Sequence, residues 1–359
     1  MKITIFISGV TGGGAEKVAC AIASYMVGQE HDVELLTMTD EEATYPLDGR
    51  VSRYCLLKEK ERKNFIVNNT IRLIRLVRYL THSKRDVYLA MLPTNITTML
   101  SMRFITSAKV IAAERANPAS YNEDKQKKLM TLAHRADGWV FQTIEQKEWY
   151  EAHSQLKRPI VIPNAINPDV LKLHHTTERH KTIVTAGRLT NQKNHKLLIN
   201  AFSKIADKYK DYNLIIYGEG PNREKLIEQI TSLKLSDRIS LPGYSSNVMA
   251  NVNQASLFVL SSDFEGMPNA LMEAMAMGVP SISTDCGGGG ARYLINNEKN
   301  GLLVPIGDVN ALASAMDRVL SDKIFADKLG KEAHKLCDTL SPDVIYGRWE
   351  KYIEETVNS

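Results

Sequence analysis

The chain has 359 residues, of which 43% are hydrophobic and 24% are charged, and its formal net charge at pH 7 is +4. These fractions exclude a long disordered chain, and 21 glycines and 12 prolines are too few for a collagen-like or low-complexity sequence. Because one domain usually takes about 100–200 residues, the length predicts two domains. The apolar runs are far shorter than the ~20 residues of a membrane-spanning helix. Four cysteines without metal-binding spacing predict reduced thiols in a cytoplasmic protein.

The first half of the chain alternates short apolar strands with helical patterns, which predicts a parallel sheet of βαβ units. A strand at residues 3–8 leads through a glycine-rich turn into a helix at 15–27. Further strands are predicted at 32–38, 87–91, 109–113 and 138–142. A basic amphipathic helix is predicted at 64–80, inside a segment, 53–85, with ten basic and two acidic residues. That surplus favours either an anionic partner surface or a solvated face.

A polar stretch at 174–180 precedes a second series of the same kind. Its predicted strands are 182–186, 213–217, 239–241, 257–260, 280–284 and 302–304. We therefore predict an α/β chain with two Rossmann-like parallel-sheet domains, residues 1–175 and 176–341, facing an interdomain cleft. Ligands of open parallel sheets bind beyond the carboxyl ends of the strands, so the chemistry is expected in that cleft.

The first glycine-rich turn, GVTGGGAEK at 9–17, follows a strand and opens a helix. Gly13 and Gly14 let backbone N–H groups approach an anion at the helix N-terminus. The segment is not a dinucleotide fingerprint, because Lys17 stands where the third glycine would be, and it is not a P-loop. A tight turn without a ligand is the alternative.

Arg188 and Lys193 lie five residues apart on the loop after the first strand of the second series. A planar guanidinium and a lysine point charge on one loop can both reach a diphosphate. Two solvated surface cations are the alternative.

The segment at 261–280 predicts a strand end, a loop and a helix that begins at Pro268 and ends at Gly278. Backbone N–H groups at Met267 and Asn269 would face a ligand at that helix start. A carboxylate can accept from two adjacent hydroxyls, so Glu265 suits a sugar diol and Glu273 a ribose diol. The usual exposed position of a glutamate is the alternative.

Three further segments are candidates. Four glycines at 287–290 predict either close backbone approach to a ligand or plain flexibility. Glu114, Arg115 and Asn117 follow a first-domain strand and would lie at the cleft edge, or form an ordinary loop ion pair. Arg72, Arg75 and Arg78 recur on the basic helix, which could lie on an anionic membrane or simply pack on its own domain.

Taken together, these motifs resemble the retaining glycosyltransferases of family 4, which have the GT-B fold. The resemblance spans nearly the whole chain. It rests on GGAEK at 13–17, IPN at 162–164, GRL at 187–189 with Lys193, YGEGP at 217–221, EGMP at 265–268 with Glu273, and NGLLV at 300–304. It implies that residues 342–359 form a terminal helix that returns to the first domain.

The resemblance also implies the roles of single residues. Arg188 and Lys193 would hold the donor diphosphate, Glu273 the nucleotide ribose and Glu265 the donor sugar, so that Arg188, Lys193 and Glu265 are the catalytic candidates. Gly13 and Gly14 would lie under the phosphates. The backbone contacts to the donor would come from Gly266, Met267, Pro268 and Asn269. Many relatives have histidine where this chain has Glu114 and Arg115.

By this resemblance, the chain moves a hexose or N-acetylhexosamine from a UDP-sugar to an acceptor hydroxyl on a polyprenyl-diphosphate-linked or surface-polysaccharide glycan. It would need no cofactor and no metal, since no Asp-x-Asp occurs, and it would lie at the inner face of the cell membrane. A nucleotide-sugar epimerase, another GT-B enzyme such as a glycogen-type phosphorylase, or a non-catalytic membrane-binding protein stay open. Nucleic acid is not expected, because no recognised binding motif accompanies the charge.

Overall fold

The computed structural model describes residues 1–11, 13–40, 43–115, 121–173, 179–245 and 247–359. The chain divides into two compact units. Unit 1 comprises Met1–Asn164 and Asp343–Ser359, and unit 2 comprises Ala165–Pro342. The boundary predicted at 175/176 is wrong, because the segment after Asn164 packs with unit 2: the Ile166 N–H donates to the Leu340 carbonyl at 2.9 Å.

Unit 1 contains a seven-stranded parallel sheet in the order β3-β2-β1-β4-β5-β6-β7. The strands are β1 (Lys2–Ile7), β2 (Asp32–Thr37), β3 (Ser52–Cys55), β4 (Val87–Met91), β5 (Lys109–Ala113), β6 (Gly138–Phe141) and β7 (Pro159–Val161). Its helices are α1 (Gly14–Gly28), α2 (Phe65–His82), α3 (Pro93–Ser101), α4 (Glu123–Leu132) and α5 (Ile144–His153). Every residue of β4 is buried, as expected for a parallel strand covered on both faces.

Unit 2 contains a six-stranded parallel sheet in the order β10-β9-β8-β11-β12-β13. The strands are β8 (His180–Ala186), β9 (Asn213–Tyr217), β10 (Ile239–Gly243), β11 (Ala255–Leu260), β12 (Ser281–Thr284) and β13 (Leu302–Val304). The helices are α6 (Pro168–Leu171), α7 (His195–Ile205), α8 (Arg223–Ser232), α9 (Val248–Gln254), α10 (Asn269–Ala276), α11 (Gly290–Leu294), α12 (Val309–Ser321), α13 (Lys323–His334) and α14 (Leu336–Leu340). The predicted class, α/β with two parallel sheets, is confirmed.

The last helix, α15 (Pro342–Val357), packs in unit 1, as the resemblance implied. Its Trp349 is fully buried, and its Tyr352 hydroxyl donates to the Arg158 carbonyl at 2.6 Å. None of the described helices is long and apolar enough to cross a bilayer.

Candidate functional site

Lys193 and Glu265 form a close ion pair at the carboxyl end of the unit 2 sheet. The Lys193 Nζ lies 2.5 Å from Glu265 Oε1, and the two side chains are 20% and 9% exposed. Ser262 Oγ donates to the same oxygen at 2.6 Å. Glu265 Oε2 accepts no hydrogen bond from a described residue, so it is available to a hydroxyl of a ligand.

The position of Lys193 is set by hydrogen bonds between two loops that are far apart in sequence. The Asp263 N–H donates to the Gln192 carbonyl at 2.8 Å, and Gln192 Nε2 donates to the Phe264 carbonyl at 2.9 Å. Ser261 Oγ donates to the Lys193 carbonyl at 2.9 Å. These bonds hold the turn that carries Lys193 against the loop that carries Glu265.

Arg188 lies on the same loop as Lys193, two residues after β8 ends. A Cβ atom on Gly187 would stand 3.2 Å from Lys193 Cε, so the lysine stem packs directly over the residue before Arg188. Arg188 is exposed, and its guanidinium has no partner among the described residues. Both residues predicted to bind the diphosphate therefore lie on the loop after β8, and the Arg188 side chain is available to bind an anion.

Glu273 lies in the second turn of α10, and it is buried, with 6% exposure. The helix starts at Asn269 with Pro268 in the capping position, as predicted to within one residue, and no side chain caps its first turn. The helix start also keeps Met267 buried. A buried glutamate and an uncapped helix start thus lie on one short element, next to Glu265.

The glycines at 287–290 permit close packing against the loop that carries Glu265. A Cβ atom on Gly290 would stand 1.8 Å from the Gly266 carbonyl oxygen and 2.6 Å from Pro268 Cδ. The Glu265 N–H also donates to the Gly287 carbonyl at 2.9 Å. Of the two alternatives that the sequence allowed, close backbone approach or flexibility, the structure shows close approach, here between two backbone segments of the protein.

Cys286 lies beside this loop and is buried. Burial, with a smaller contribution from the Glu265 carboxylate, raises the pKa of the Cys286 thiol to about 12. A raised pKa favours the neutral thiol at physiological pH, as for a buried structural cysteine.

His195 begins α7, two residues after Lys193, and is 3% exposed. Burial, and then the positive charge of Lys193, lower the pKa of His195 to about 4. Between pH 6.5 and 4, His195 is protonated in the unfolded chain but stays neutral in the folded chain. We therefore expect the free energy of unfolding to fall by up to about 3 kcal/mol as the pH decreases across that window. Melting temperatures at pH 7.5, 6 and 5 measure this loss. His195→Gln should flatten the pH dependence, whereas an exposed control, His180→Gln, should leave it unchanged.

In unit 1, the start of α1 differs from the predicted phosphate loop. Gly13 precedes the helix, and a Cβ atom there would stand 1.8 Å from a carboxylate oxygen of Glu16. The Glu16 side chain thus folds back over the helix N-terminus, where its negative charge is favourable. A phosphate at Gly13 and Gly14 would have to displace it, and the role of these glycines stays a prediction.

Glu114 and Arg115 are both buried. Glu114 is fully buried and accepts hydrogen bonds from the hydroxyls of Tyr121, at 2.7 Å, and Tyr150. Arg115 lies 4.9 Å from the centre of the Trp349 ring, and burial lowers its pKa to about 10. Two tyrosines enclose the carboxylate of Glu114. Asn117 lies outside the described residues, and the position of all three residues at a cleft edge and their acceptor role stay predictions.

On α2, two of the three predicted membrane-facing arginines bind the protein itself. Arg75 donates to both carboxylate oxygens of Glu61, at 2.7 and 2.8 Å, and Arg72 donates to the Met38 carbonyl at 3.3 Å. Arg78 is exposed. Acceptors from neighbouring loops thus bind Arg72 and Arg75, and the membrane-facing role of all three arginines stays a prediction.

Exposed apolar side chains occupy the outer surface of α2 and its neighbour instead. Phe65 is 81% exposed, Ile66 75% and Ile74 61%. Phe104, on a short turn that contacts α2, is 82% exposed. We call Phe65, Ile66, Leu73, Ile74 and Phe104 the apolar strip. The sequence contained part of this signal, since Leu73 and Ile74 lie among the arginines, but periodicity alone did not tell which side of the helix faces the core.

One group of side chains in the described residues has the geometry to hold a metal ion: His31, Glu350 and Glu354, whose ligand atoms lie within 4.8 Å of one another. His31 Nε2 already contacts Glu350 at 3.1 Å. The group is in unit 1 and shares no residue with the predicted donor site. The expectation that the reaction needs no metal stays a prediction.

Residues 172–336, most of unit 2, match the family model of the glycosyl transferases group 1. A Campylobacter jejuni α-1,4-N-acetyl-D-galactosaminyltransferase, named for a glycan on PP-undecaprenol, is 26% identical over the full length of both chains. A Streptomyces coelicolor exopolysaccharide phosphotransferase is 28% identical over all of this chain, which spans only 41% of that protein.

Among solved structures, Anabaena HepE in complex with UDP superposes with a TM-score of 0.84 at 16% identity, covering 99% of this chain and 100% of that one. That likeness covers both parallel sheets, and it establishes the fold. The family match falls on the unit that carries Lys193, Glu265 and Glu273. The sequence of unit 2 is thus similar to the glycosyl transferases group 1, and the two parallel sheets have the GT-B fold.

Proposed function

We propose that this glycosyltransferase moves a hexose or N-acetylhexosamine, with retention, from a UDP-sugar to a hydroxyl of a polyprenyl-diphosphate-linked or surface-polysaccharide glycan. The observation that carries the proposal is the Lys193–Glu265 pair beside the unpaired Arg188. The Campylobacter relative supports a lipid-linked acceptor, and HepE supports UDP as the nucleotide.

The chemistry follows from where charge develops. As the bond between the sugar C1 and the diphosphate oxygen breaks, the electron pair leaves with the diphosphate and the sugar ring becomes positive. Arg188, Lys193 and the start of α10 would stabilise the leaving group, which is the kind of electrostatic effect that dominates many enzymes. The acceptor oxygen would bond to C1 on the face the diphosphate leaves, and the acceptor proton would pass to the departing diphosphate.

Two acids would orient the donor. Glu265 Oε2 would accept from a sugar hydroxyl, while Glu265 Oε1 stays paired with Lys193. Glu273 would accept from the ribose diol. Lys193 and Arg188 would supply the positive charge that a divalent cation supplies in other enzymes, so transfer should proceed without a metal.

A donor screen tests the proposal. UDP and one UDP-sugar should raise the melting temperature, since a ligand at 100 times its Kd stabilises the native state by about 2.7 kcal/mol. Glu273→Gln should weaken UDP binding about 10- to 100-fold, the equivalent of a charged hydrogen bond of about 1.5–3 kcal/mol. Transfer to a lipid-linked glycan should proceed in EDTA. The exposed control Glu224→Gln should bind UDP normally.

Two results would contradict it. One is a screen in which no nucleotide sugar shifts the melting temperature. The other is conversion of the donor without any acceptor, which would indicate an epimerase.

We further propose that α2 lies on an anionic membrane, with the apolar strip inserted between lipids and the surrounding basic residues near the headgroups. Buried apolar area and electrostatic attraction together determine the affinity of such interfacial helices. Exposure of several large apolar side chains on one element supports this orientation.

Liposome flotation checks the orientation. The double variant Ile66→Asp/Ile74→Asp should lower binding to vesicles with anionic lipid at least tenfold, because two inserted apolar side chains are replaced by charges that anionic lipid repels. The matched control is Ile324→Asp on α13 of unit 2, where Ile324 is 85% exposed. Equal flotation of both variants would refute the membrane role of α2.

A further inference from the structure

Unit 1 contains a cavity of about 430 Å³ that none of the roles assigned so far uses. It lies beyond the carboxyl ends of β1, β2 and β3, between α2, α3 and α4. Its size falls in the range of small-molecule sites, and its position is the one at which open parallel sheets bind ligands.

Asn95, which lines this cavity, has an unsatisfied oxygen. The residue is fully buried, and its Nδ2 donates to the Met91 carbonyl at 2.8 Å and to Ser8 Oγ at 3.1 Å. Its Oδ1 is buried without any hydrogen-bond partner. A buried oxygen without a hydrogen-bond donor destabilises the folded state, so a ligand that supplies a donor is favoured there. A hydroxyl or an amide N–H of a ligand is such a donor.

Two cations, Arg72 and Lys128, also line the cavity, and among its described lining residues none is acidic. The Arg72 side chain contacts only uncharged acceptors, the Met38 carbonyl at 3.3 Å and Asn69 Oδ1 at 3.4 Å. Lys128 is exposed and has no partner among the described residues. One turn further along α2, Arg75 is neutralised by Glu61. The cavity therefore has two positive charges without a counter-ion.

The remaining wall is largely apolar. Met38, Leu56, Leu73, Leu76 and Met102 line it. Leu73 also belongs to the apolar strip, so the cavity opens next to the surface that we place on the membrane. An apolar wall with a few polar groups is typical of a specific site for an organic ligand rather than for a bare ion.

We infer that this cavity binds a sugar that carries a phosphate or a carboxylate. Asn95 Oδ1 accepts from a hydroxyl or an N-acetyl N–H of the sugar, and Arg72 and Lys128 bind the anionic group. The assignment of this sugar to the glycan acceptor rests on the proposed function. A glycosyl diphosphate at the membrane and a uronic acid in a polysaccharide are the two sources of such chemistry.

Calorimetry on the full chain, with UDP added in excess to fill the nucleotide site of unit 2, tests the inference. N-acetylglucosamine 1-phosphate or glucuronic acid should bind at least tenfold more tightly than both neutral N-acetylglucosamine and inorganic phosphate. Tighter binding of the sugar phosphate indicates the diphosphate-linked source, and tighter binding of the uronic acid indicates the polysaccharide. If inorganic phosphate binds as tightly as the two anionic sugars, the inference is overturned.

Variants locate the site. Arg72→Gln and Lys128→Gln should each weaken binding of the preferred ligand at least tenfold, whereas Lys127→Gln, an exposed neighbour on α4 that does not line the cavity, should not change it. Asn95→Leu should weaken binding of the sugar ligand but not of inorganic phosphate. If that variant does not fold, the two cation variants decide the question. Unchanged affinity in both would overturn the inference.

The two proposals fail separately. Calorimetry needs no transfer, so a chain that binds the anionic sugar but transfers nothing from any UDP-sugar would refute the proposed function alone. Conversely, normal transfer with an unchanged KM for acceptor in Arg72→Gln and Lys128→Gln would refute this site alone.

Discussion

Replacing Lys193 by glutamine is expected to lower kcat about 10²- to 10³-fold, while the fold is retained. The loss is that of a charge aimed at a leaving group inside a partly dehydrated site. Glutamine keeps much of the stem that packs over Gly187 but removes the charge. Steady-state transfer at saturating donor measures the effect, with Lys204→Gln, an exposed lysine on α7, as the matched control.

The same change also leaves Glu265 unpaired, and its carboxylate is 9% exposed. Removing one partner of a buried pair destabilises a protein by about 3 kcal/mol, because the other charge stays behind. The double variant Lys193→Gln/Glu265→Gln should recover much of the melting temperature but none of the activity. Recovery of activity in the double variant would mean that Lys193 serves only to neutralise Glu265.

Replacing Gly290 by alanine should lower transfer about 100-fold and also lower the melting temperature. The new Cβ atom would overlap the Gly266 carbonyl oxygen, from which it would be only 1.8 Å away, and a backbone atom cannot rotate aside as a side chain can. The loop from Glu265 to Pro268 must then move, and a displacement of about 1 Å at a reacting site can reduce rates about 100-fold. Overpacking adds about 1–3 kcal/mol of destabilisation.

Gly28→Ala is the control for this substitution. Gly28 ends α1, and a Cβ atom there would meet nothing within 4 Å, so its stability should change by less than about 1 kcal/mol. Wild-type transfer by Gly290→Ala would show that the loop tolerates the shift and that its close packing has no role in donor binding.

The sequence predicted that the segments carrying Lys193 and Glu265 lie together, because parallel strands order the loops at their carboxyl ends. Lys193 and Glu265 are 72 residues apart, but each follows a strand of one sheet, and β8 and β11 are neighbours. Parallel topology alone therefore places their loops side by side. The direct ion pair was not predicted, because the hydrogen bonds from Gln192 and Ser261 that orient the lysine depend on tertiary contact.

Other features had no local signal. β3 has the sequence SRYC, which is too short and too polar to show a strand period, and it is an edge strand of its sheet. Asn95 lies in a Thr-rich stretch in which nothing marks it as buried. The helical pattern predicted that Arg75 faces away from the protein, because it contains no sign of Glu61, the partner on a separate turn. Tertiary packing determines which polar side chains are buried, and the hydrophobic periodicity of a single sequence does not predict them.

Unit 1 combines two segments from opposite ends of the chain, and this affects the order in which the protein folds during synthesis. Trp349 is fully buried in unit 1, most of which is formed by Met1–Asn164, so a nascent chain on the ribosome can finish unit 2 while unit 1 still lacks that side chain. Domains tend to fold as units during synthesis, with the N-terminal one first. Here we expect the reverse for the final packing: all seven strands of the unit 1 sheet are made early, but the unit lacks α15 until synthesis has passed unit 2.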